Sequence, residues 1–342
     1  MSKFGVIKYS SINIGDEIQS VASMRFLPSV DYYIHRERTD EFRSLDHEKV
    51  KMIMNAWWMQ EPKHFPPSDD IDPLFVSFHF RYDRRDVFMT EKTKAYLKAH
   101  SPIGCRDTGT VEYLKENGID AYFTGCLTST LLPNPSLKGR FMSDYVLCVD
   151  CPEEVVQAVR ARSERPVYSM TRMLSHAFTS VDRFRLAKYV LFLYHNAYCV
   201  VTPRLHVSLP ATAFVTPVCL IYSEKLERKR RFEGLDDLFH QVEMDAYIAD
   251  GSLYDINNPP ENPDNYKHMA DQLAAACREF TGHDSGKSAL SDDYNPMIDI
   301  IQILAYDKKV ADRELMFAHK KELLYALTET ALLGKTRHDL KY

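Results

Sequence analysis

Between residues 4 and 222 short β-rich runs alternate with helical stretches, and that alternation leaves few folds open. A strand that passes into a helix and then into another strand builds parallel sheet wrapped by helices. Residues 4–9 read as a buried strand, and 17–26 as a helix entered through Asn13-Ile14-Gly15-Asp16, with Asp16 as N-cap. Residues 74–80 and 103–106 read as strands. Asp107-Thr108 caps a helix running to Asn117, Gly118 stops it, and 121–124 is the next strand. Beyond Pro133-Asn134-Pro135-Ser136, which reads as a link, the pattern restarts. Strands are predicted at 144–150, 167–170, 198–201 and 217–222. Helices are predicted from Pro152, over 182–196 and over 204–214.

Two such series predict an α/β chain with two Rossmann-like, doubly wound domains facing a cleft, although no internal repeat supports the pairing. The expected domains are residues 1–138 and 139–282. Residues 257–265 are Pro and Asn rich and read as loop, 266–280 as helix, and 281–291 as polar linker. Residues 283–342 form a helical extension. Within it, 297–333 carries apolar side chains at helical spacing, including Leu315, Met316, Leu323, Leu324, Leu327 and Leu332. Such a face must be buried, and the expected cover is this chain's own core or a second copy.

Composition narrows the class. Lys plus Arg number 43 against 48 Asp plus Glu, a formal net charge of −5, which argues against a nucleic-acid binder. No apolar run approaches the roughly 18–20 residues of a membrane span. The N-terminus turns polar too soon for a signal peptide. Seven cysteines is an odd number, so reduced thiols and a cytoplasmic setting are expected.

In open α/β sheets ligands bind where strand ends pass into helices, which selects four junctions. In Val200-Val201-Thr202-Pro203-Arg204-Leu205-His206, Thr202 can cap a helix and Pro203 fits its first position. Arg204 and His206 then stand beside unpaired backbone N–H groups, a ready anion site with a titratable imidazole. The second junction is Cys105-Arg106-Asp107, where Arg106 either binds a ligand or pairs with a carboxylate. Third is Asn13-Ile14-Gly15-Asp16, whose single glycine makes neither a Rossmann nor a P-loop fingerprint. Asp16 suits a sugar hydroxyl better than a phosphate. Fourth is Thr171-Arg172, with His176 four residues beyond the arginine. Cys148-x-x-Cys151 has no second Cys/His pair at zinc spacing. Lys225, Arg228, Lys229, Arg230 and Arg231 alternate with acids and read as a solvated helix face or an anion-steering patch. Trp57-Trp58 suits either sugar stacking or packing, with one of the two facing outward.

With these junctions in place, the chain resembles the polysaccharide pyruvyl transferase family. The resemblance rests on Asn13-Ile14-Gly15-Asp16-Glu17-Ile18-Gln19, Gly104-Cys105-Arg106-Asp107, Thr124-Gly125-Cys126-Leu127-Thr128, Val201-Thr202-Pro203-Arg204-Leu205-His206 and Arg231-Phe232-x-Gly234-Leu235. Asn55-Ala56-Trp57-Trp58, Phe65-Pro66-Pro67 and Ser77-Phe78-His79 resemble members from capsule and exopolysaccharide clusters. Order and spacing agree over about residues 4–245, and the residues from about 283 onward match nothing in the family.

The resemblance implies a GT-B-like fold with an acceptor side in residues 1–138 and a donor side in 139–282. It implies phosphoenolpyruvate as donor, a sugar acceptor (a lipid-linked oligosaccharide among the candidates), and a cyclic pyruvate ketal plus phosphate as products. His206 and Asp16 are then the expected catalytic residues. Arg204, Arg106, Asn13, His176 and Arg172 are the expected substrate contacts. Neither a metal nor a separate cofactor is required, no nucleic acid is involved, and a homo-oligomer is compatible. The expected location is cytoplasmic, with the inner membrane face as the place of a lipid-linked acceptor. Rival readings are a GT-B glycosyltransferase using a nucleotide sugar, and a silent sugar-binding or assembly subunit.

Overall fold

The computed structural model describes residues 2–173, 178–223 and 232–299. The predicted basic patch, His176 and nearly all of the predicted tail helices lie outside the described residues. In chain order the strands of the first half are β1 (Lys3–Lys8), β2 (Tyr32–His35), β3 (Val50–Ile53), β4 (Trp57–Trp58), β5 (Ile71–Leu74), β6 (His79–Phe80), β7 (Ile103–Cys105) and β8 (Ala121–Phe123). The second half supplies β9 (Val146–Val149), β10 (Val167–Met170), β11 (Cys199–Thr202), β12 (Val218–Tyr222) and β13 (His240–Glu243). Helices α1 (Gly15–Met24), α2 (Arg85–Phe88), α3 (Glu91–Ala99), α4 (Thr108–Glu116), α5 (Glu153–Arg162), α6 (Ser180–Asn196) and α7 (Leu205–Ala213) connect them, and Tyr266–Thr281 forms a later helix.

Two open sheets result, with every pairing parallel, ordered β2-β1-β3-β5 and β10-β9-β11-β12-β13. The alternation of the sequence is thus realised as mixed α/β structure with parallel sheets. β9 and β11 are apolar and buried along their length, as central strands covered on both faces must be. The edge strands β10 and β13 carry the half-exposed positions. In each sheet the winding reverses once. It reverses at β1, which has β2 on one side and β3 on the other, and at β9, flanked by β10 and β11. Such reversals open a crevice at the carboxyl ends of the strands.

Helices α1 and α6 pack together, and one apolar cluster runs from Val6, Ile18 and Val21 to Leu147, Val190 and Val200. Within this contact Glu17 accepts from Arg183 Nε at 2.5 Å. Burial pushes the Glu17 carboxyl up to about 7 despite the arginine. No helix among the described residues is long and apolar enough to cross a membrane.

Several predicted elements shift for local reasons. The run 74–80 is broken because Ser77 takes a left-handed backbone (φ 53°), so β5 ends at Leu74 and His79–Phe80 pairs separately with β4. The strand expected over 144–150 is confined to Val146–Val149 by left-handed Asp144 (φ 63°) and Asp150 (φ 52°). Gly118 does stop α4, at φ 69°. The Pro133–Ser136 segment is tied to the later part of the chain. Asn134 is buried and donates to the Leu290 carbonyl (2.8 Å) and the Asp292 carboxylate (2.9 Å).

Candidate active site

The carboxyl ends of β9, β10 and β11 place three charged residues around one point. Asp150 follows β9, Arg172 follows β10 and Arg204 follows β11. Asp150 Oδ2 accepts from Arg172 Nε (2.9 Å) and Arg204 Nε (3.1 Å). Its Oδ1 accepts from Thr171 Oγ1 (2.9 Å) and the Arg172 amide (3.1 Å). Burial alone would raise this carboxyl. The two guanidiniums outweigh it and hold the group below the usual carboxylate range. Two guanidiniums thus converge on one carboxylate at the crevice. Arg172 is buried, whereas 44% of the Arg204 side chain is exposed, so Arg204 stands at the mouth.

His206 enters from α7, whose start differs from the expected one. Thr202 does not cap the helix. Its Oγ1 accepts from the Arg204 amide (3.1 Å) while it donates to the Val149 carbonyl (2.9 Å). Arg204 itself occupies the N-cap position in extended conformation, and its carbonyl accepts from Val207 and Ser208. The reason is competition: the Thr202 hydroxyl ties β11 to β9 and holds Pro203 outside the helix. His206 is the second helical residue and is buried.

The β1 loop reaches this cluster directly. Asn13 forms an antiparallel bridge to Met173, and the Ile14 amide donates to the Arg172 carbonyl at 3.0 Å. A β-carbon added to Gly15 would lie 2.6 Å from Arg172 Nη1, 3.1 Å from Asn13 Oδ1 and 3.2 Å from His206 Cβ. Glycine is the side chain that lets these three residues meet. Asn13 Oδ1 also accepts from the Gly15 amide (3.0 Å), satisfying one donor at the start of α1.

Asp16 is not the N-cap of α1. Ile14 holds that place without a side-chain bond, and Asp16 lies in the first turn. Its carboxylate is drawn to other donors: Ser11 Oγ (2.5 Å) and Arg36 Nη1 (3.3 Å) on Oδ2, and Trp57 Nε1 (3.1 Å) on Oδ1. The buried Arg36 guanidinium lies 3.8 Å from the Trp57 ring centroid, and its Nε donates to Glu37 (2.7 Å). Trp58 is wholly buried and Trp57 is half-buried under this contact, so neither tryptophan projects outward.

A third group lies at the end of β7. Asp107 caps α4, with Oδ1 accepting from the Thr110 amide (2.9 Å) and hydroxyl (2.8 Å). Its Oδ2 lies 2.5 Å from His79 Nδ1 and 3.6 Å from Arg106 Nε. Burial raises this carboxyl, but the facing His79, with Arg106 and Thr110, brings it down to about 2. Arg106 is buried, and its Nε makes no hydrogen bond among the described residues. The Thr108 amide donates to the Glu233 carbonyl (3.2 Å), which seats the Gly234-Leu235 segment beside Arg106 and Asp107. Leu235 shares an apolar cluster with Cys126 and with Leu205 of α7.

The structure therefore places Asn13 and Asp16 after β1 and Arg172, Arg204 and His206 after β10 and β11, joins the two groups through the β1 loop, and sets Arg106 on the β7 junction. Sequence reading missed Asp150, hidden as the last residue of a predicted strand, and Arg36, which has no motif. The partnership of His79 with Asp107 escaped it too, because a helix cap already explained the aspartate. Cys148 and Cys151 are thiols, and Cys151 Sγ donates to the Val201 carbonyl (3.2 Å). Among the described residues, Asp40, Glu41 and His64 offer ligand atoms within 4.8 Å of one another. His64 Nδ1 is already hydrogen-bonded to Asp40 at 2.9 Å, so this cluster is engaged internally.

No curated protein matches the chain. Among solved structures it is similar to a functionally uncharacterized protein from Klebsiella pneumoniae subsp. pneumoniae, with 15% identity and a TM-score of 0.42 over 68% of this chain and 87% of that one. The family finding is the informative one: residues 76–225, the span that carries His79, Arg106, Asp150, Arg172, Arg204 and His206, match the model of the polysaccharide pyruvyl transferase family.

Proposed function

We propose that the chain transfers the enolpyruvyl group of phosphoenolpyruvate onto a sugar, forming a cyclic pyruvate ketal with release of phosphate in surface or capsular polysaccharide assembly. Residues 1–138 and 139–282 act as the acceptor and donor halves of a GT-B-like enzyme. It works in the cytoplasm, at the inner membrane face where the acceptor is lipid-linked. The observation that supports the reading is the convergence of the Arg172 and Arg204 guanidiniums on Asp150, beside His206 and the β1 loop.

The donor brings a carboxylate and a phosphate, and planar guanidiniums engage two oxygens of either. Arg204 at the mouth and the buried Arg172 and Arg106 take these anions. The anionic donor favours the imidazolium form of His206, which protonates the methylene carbon. The adjacent carbon becomes cationic and is attacked by one acceptor hydroxyl. A second hydroxyl then closes the ring as phosphate leaves. Asp16 has its carboxylate occupied by Ser11, Arg36 and Trp57, which supports orienting the acceptor side over accepting a proton.

Phosphate release from phosphoenolpyruvate, measured with and without candidate sugars, tests the reading. Release that depends on the acceptor and yields a product heavier by a ketal supports it. Turnover of a nucleotide sugar without use of phosphoenolpyruvate would favour glycosyl transfer and overturn it.

A further inference from the structure

We infer that His79, oriented by Asp107, is a second proton-transfer residue of this site, taking the proton of the ring-closing hydroxyl and passing it to the departing phosphate. The inference rests on the pyruvyl-transfer reading and supplies a step it leaves unassigned. Closing the ketal forms the second carbon–oxygen bond and breaks the bond from the central carbon to the phosphate oxygen. Two hydroxyl protons are lost in all: one balances the proton gained by the methylene carbon, and the other leaves on phosphate. His206 serves the first transfer. Asp16 is a poor base for the second, because three donors hold its oxygens.

Position singles out His79. In the parallel pair β4–β6, Trp57 and His79 are register partners, and such partners project to the same face of the pair. Trp57 donates to Asp16, so His79 stands beside the residue that orders the β1 crevice. On its other side Nδ1 is 2.5 Å from Asp107 Oδ2 and 3.1 Å from Thr110 Oγ1. The remaining oxygen of Asp107 is fixed by the start of α4. The Thr110 hydroxyl and the Asp107 carboxylate both meet the ring at Nδ1 and hold its orientation, and the proton exchange is assigned to Nε2. Arg106 Nε lies 3.6 Å from the same Asp107 oxygen, which places a phosphate-binding guanidinium next to the imidazole. The line Asp16–Trp57–His79–Asp107–Arg106 thus connects the acceptor crevice with an anion-binding arginine. Asp107 acts through His79 and is a positioning residue.

The test is steady-state and single-turnover kinetics of the full chain with phosphoenolpyruvate and an acceptor the wild type uses. His79→Gln should lower kcat by about 10²-fold, within the usual range for acid–base residues, with KM for phosphoenolpyruvate little changed. It should also accumulate the open adduct, detected by mass as the sum of donor and acceptor with phosphate retained. Asp107→Asn keeps an acceptor for the Thr110 amide, and should show the same pattern with a smaller loss. It decides the matter if His79→Gln does not fold. Unchanged kcat in both variants overturns the inference. So does a raised KM at constant kcat, which would make His79 a donor-binding cation. If the wild type releases no phosphate from phosphoenolpyruvate with any sugar, the pyruvyl-transfer reading itself falls and takes this step with it.

Discussion

The two crevices at the strand reversals are built from the same kinds of side chain and balanced in opposite directions. At β9, two arginines share one aspartate, and one of the arginines reaches solvent. At β1, one buried arginine serves two carboxylates, Asp16 and Glu37, and an indole completes the set. The first arrangement gathers two guanidiniums, one of them partly exposed, and suits an anionic donor. The second is internally satisfied and presents an ordered polar surface, suited to a neutral sugar. Parallel α/β topology puts both at strand ends; the ratio of paired arginines to carboxylates tells them apart.

The comparison is broken most severely at the residue that bridges the two sides. His206→Ala should lower turnover by about 10²–10⁴-fold while donor binding stays measurable by calorimetry. Wild-type turnover would remove His206 from the proton transfer. Gly15→Ala pushes a methyl group toward Arg172, Asn13 and His206. It should cost about 1–3 kcal/mol in denaturant unfolding and reduce activity beyond what the stability loss explains. A neutral outcome would mean that the two crevices do not need this close approach.

Smaller effects sharpen the picture. The folded-state pKa of Asp107 lies below its ordinary value, so its stabilising contribution is complete above about pH 4 and is lost as pH falls toward about 2. Acid unfolding of Asp107→Asn should therefore be less steep than wild type between those pH values. Parallel curves would contradict the buried pairing with His79. Truncation after Gly282 removes Asp284, which accepts from Arg25 at 2.8 and 2.9 Å, and the Leu290 and Asp292 partners of Asn134. With each such bond worth about 1 kcal/mol, Tm should fall by several degrees. If the tail also covers a second copy, the apparent mass should fall by more than the deleted residues.

Much of this arrangement is legible in the sequence, because alternating apolar runs and helix signals fix parallel sheets and put Arg172, Arg204 and His206 at strand ends. Gly118 and Asp107 announce the ends of α4 by local rules. The remainder depends on contacts between distant segments. Asp16 satisfies every rule for an N-cap, yet Arg36 and Trp57, 20 and 41 positions away, claim its oxygens. Asp150 lies at the end of an apolar run, and nothing local forecasts its left-handed backbone or its two arginines. Thr202 was expected to cap a helix that instead begins at Leu205, because its hydroxyl bonds the neighbouring strand. Local chemistry proposed each partner, and tertiary packing chose among them.

The proposed division between a donor crevice at β9 and an acceptor crevice at β1 is tested most directly by titrating phosphoenolpyruvate into the wild type, Arg204→Lys and Trp57→Phe. A lysine keeps the charge of Arg204 but loses the planar fork that engages two oxygens. Trp57→Phe removes the bond to Asp16 and leaves the β9 side intact. Affinity should fall about tenfold or more in Arg204→Lys and stay within about twofold of wild type in Trp57→Phe. Full affinity in Arg204→Lys together with weakened binding in Trp57→Phe would place the donor on the opposite side and contradict the account.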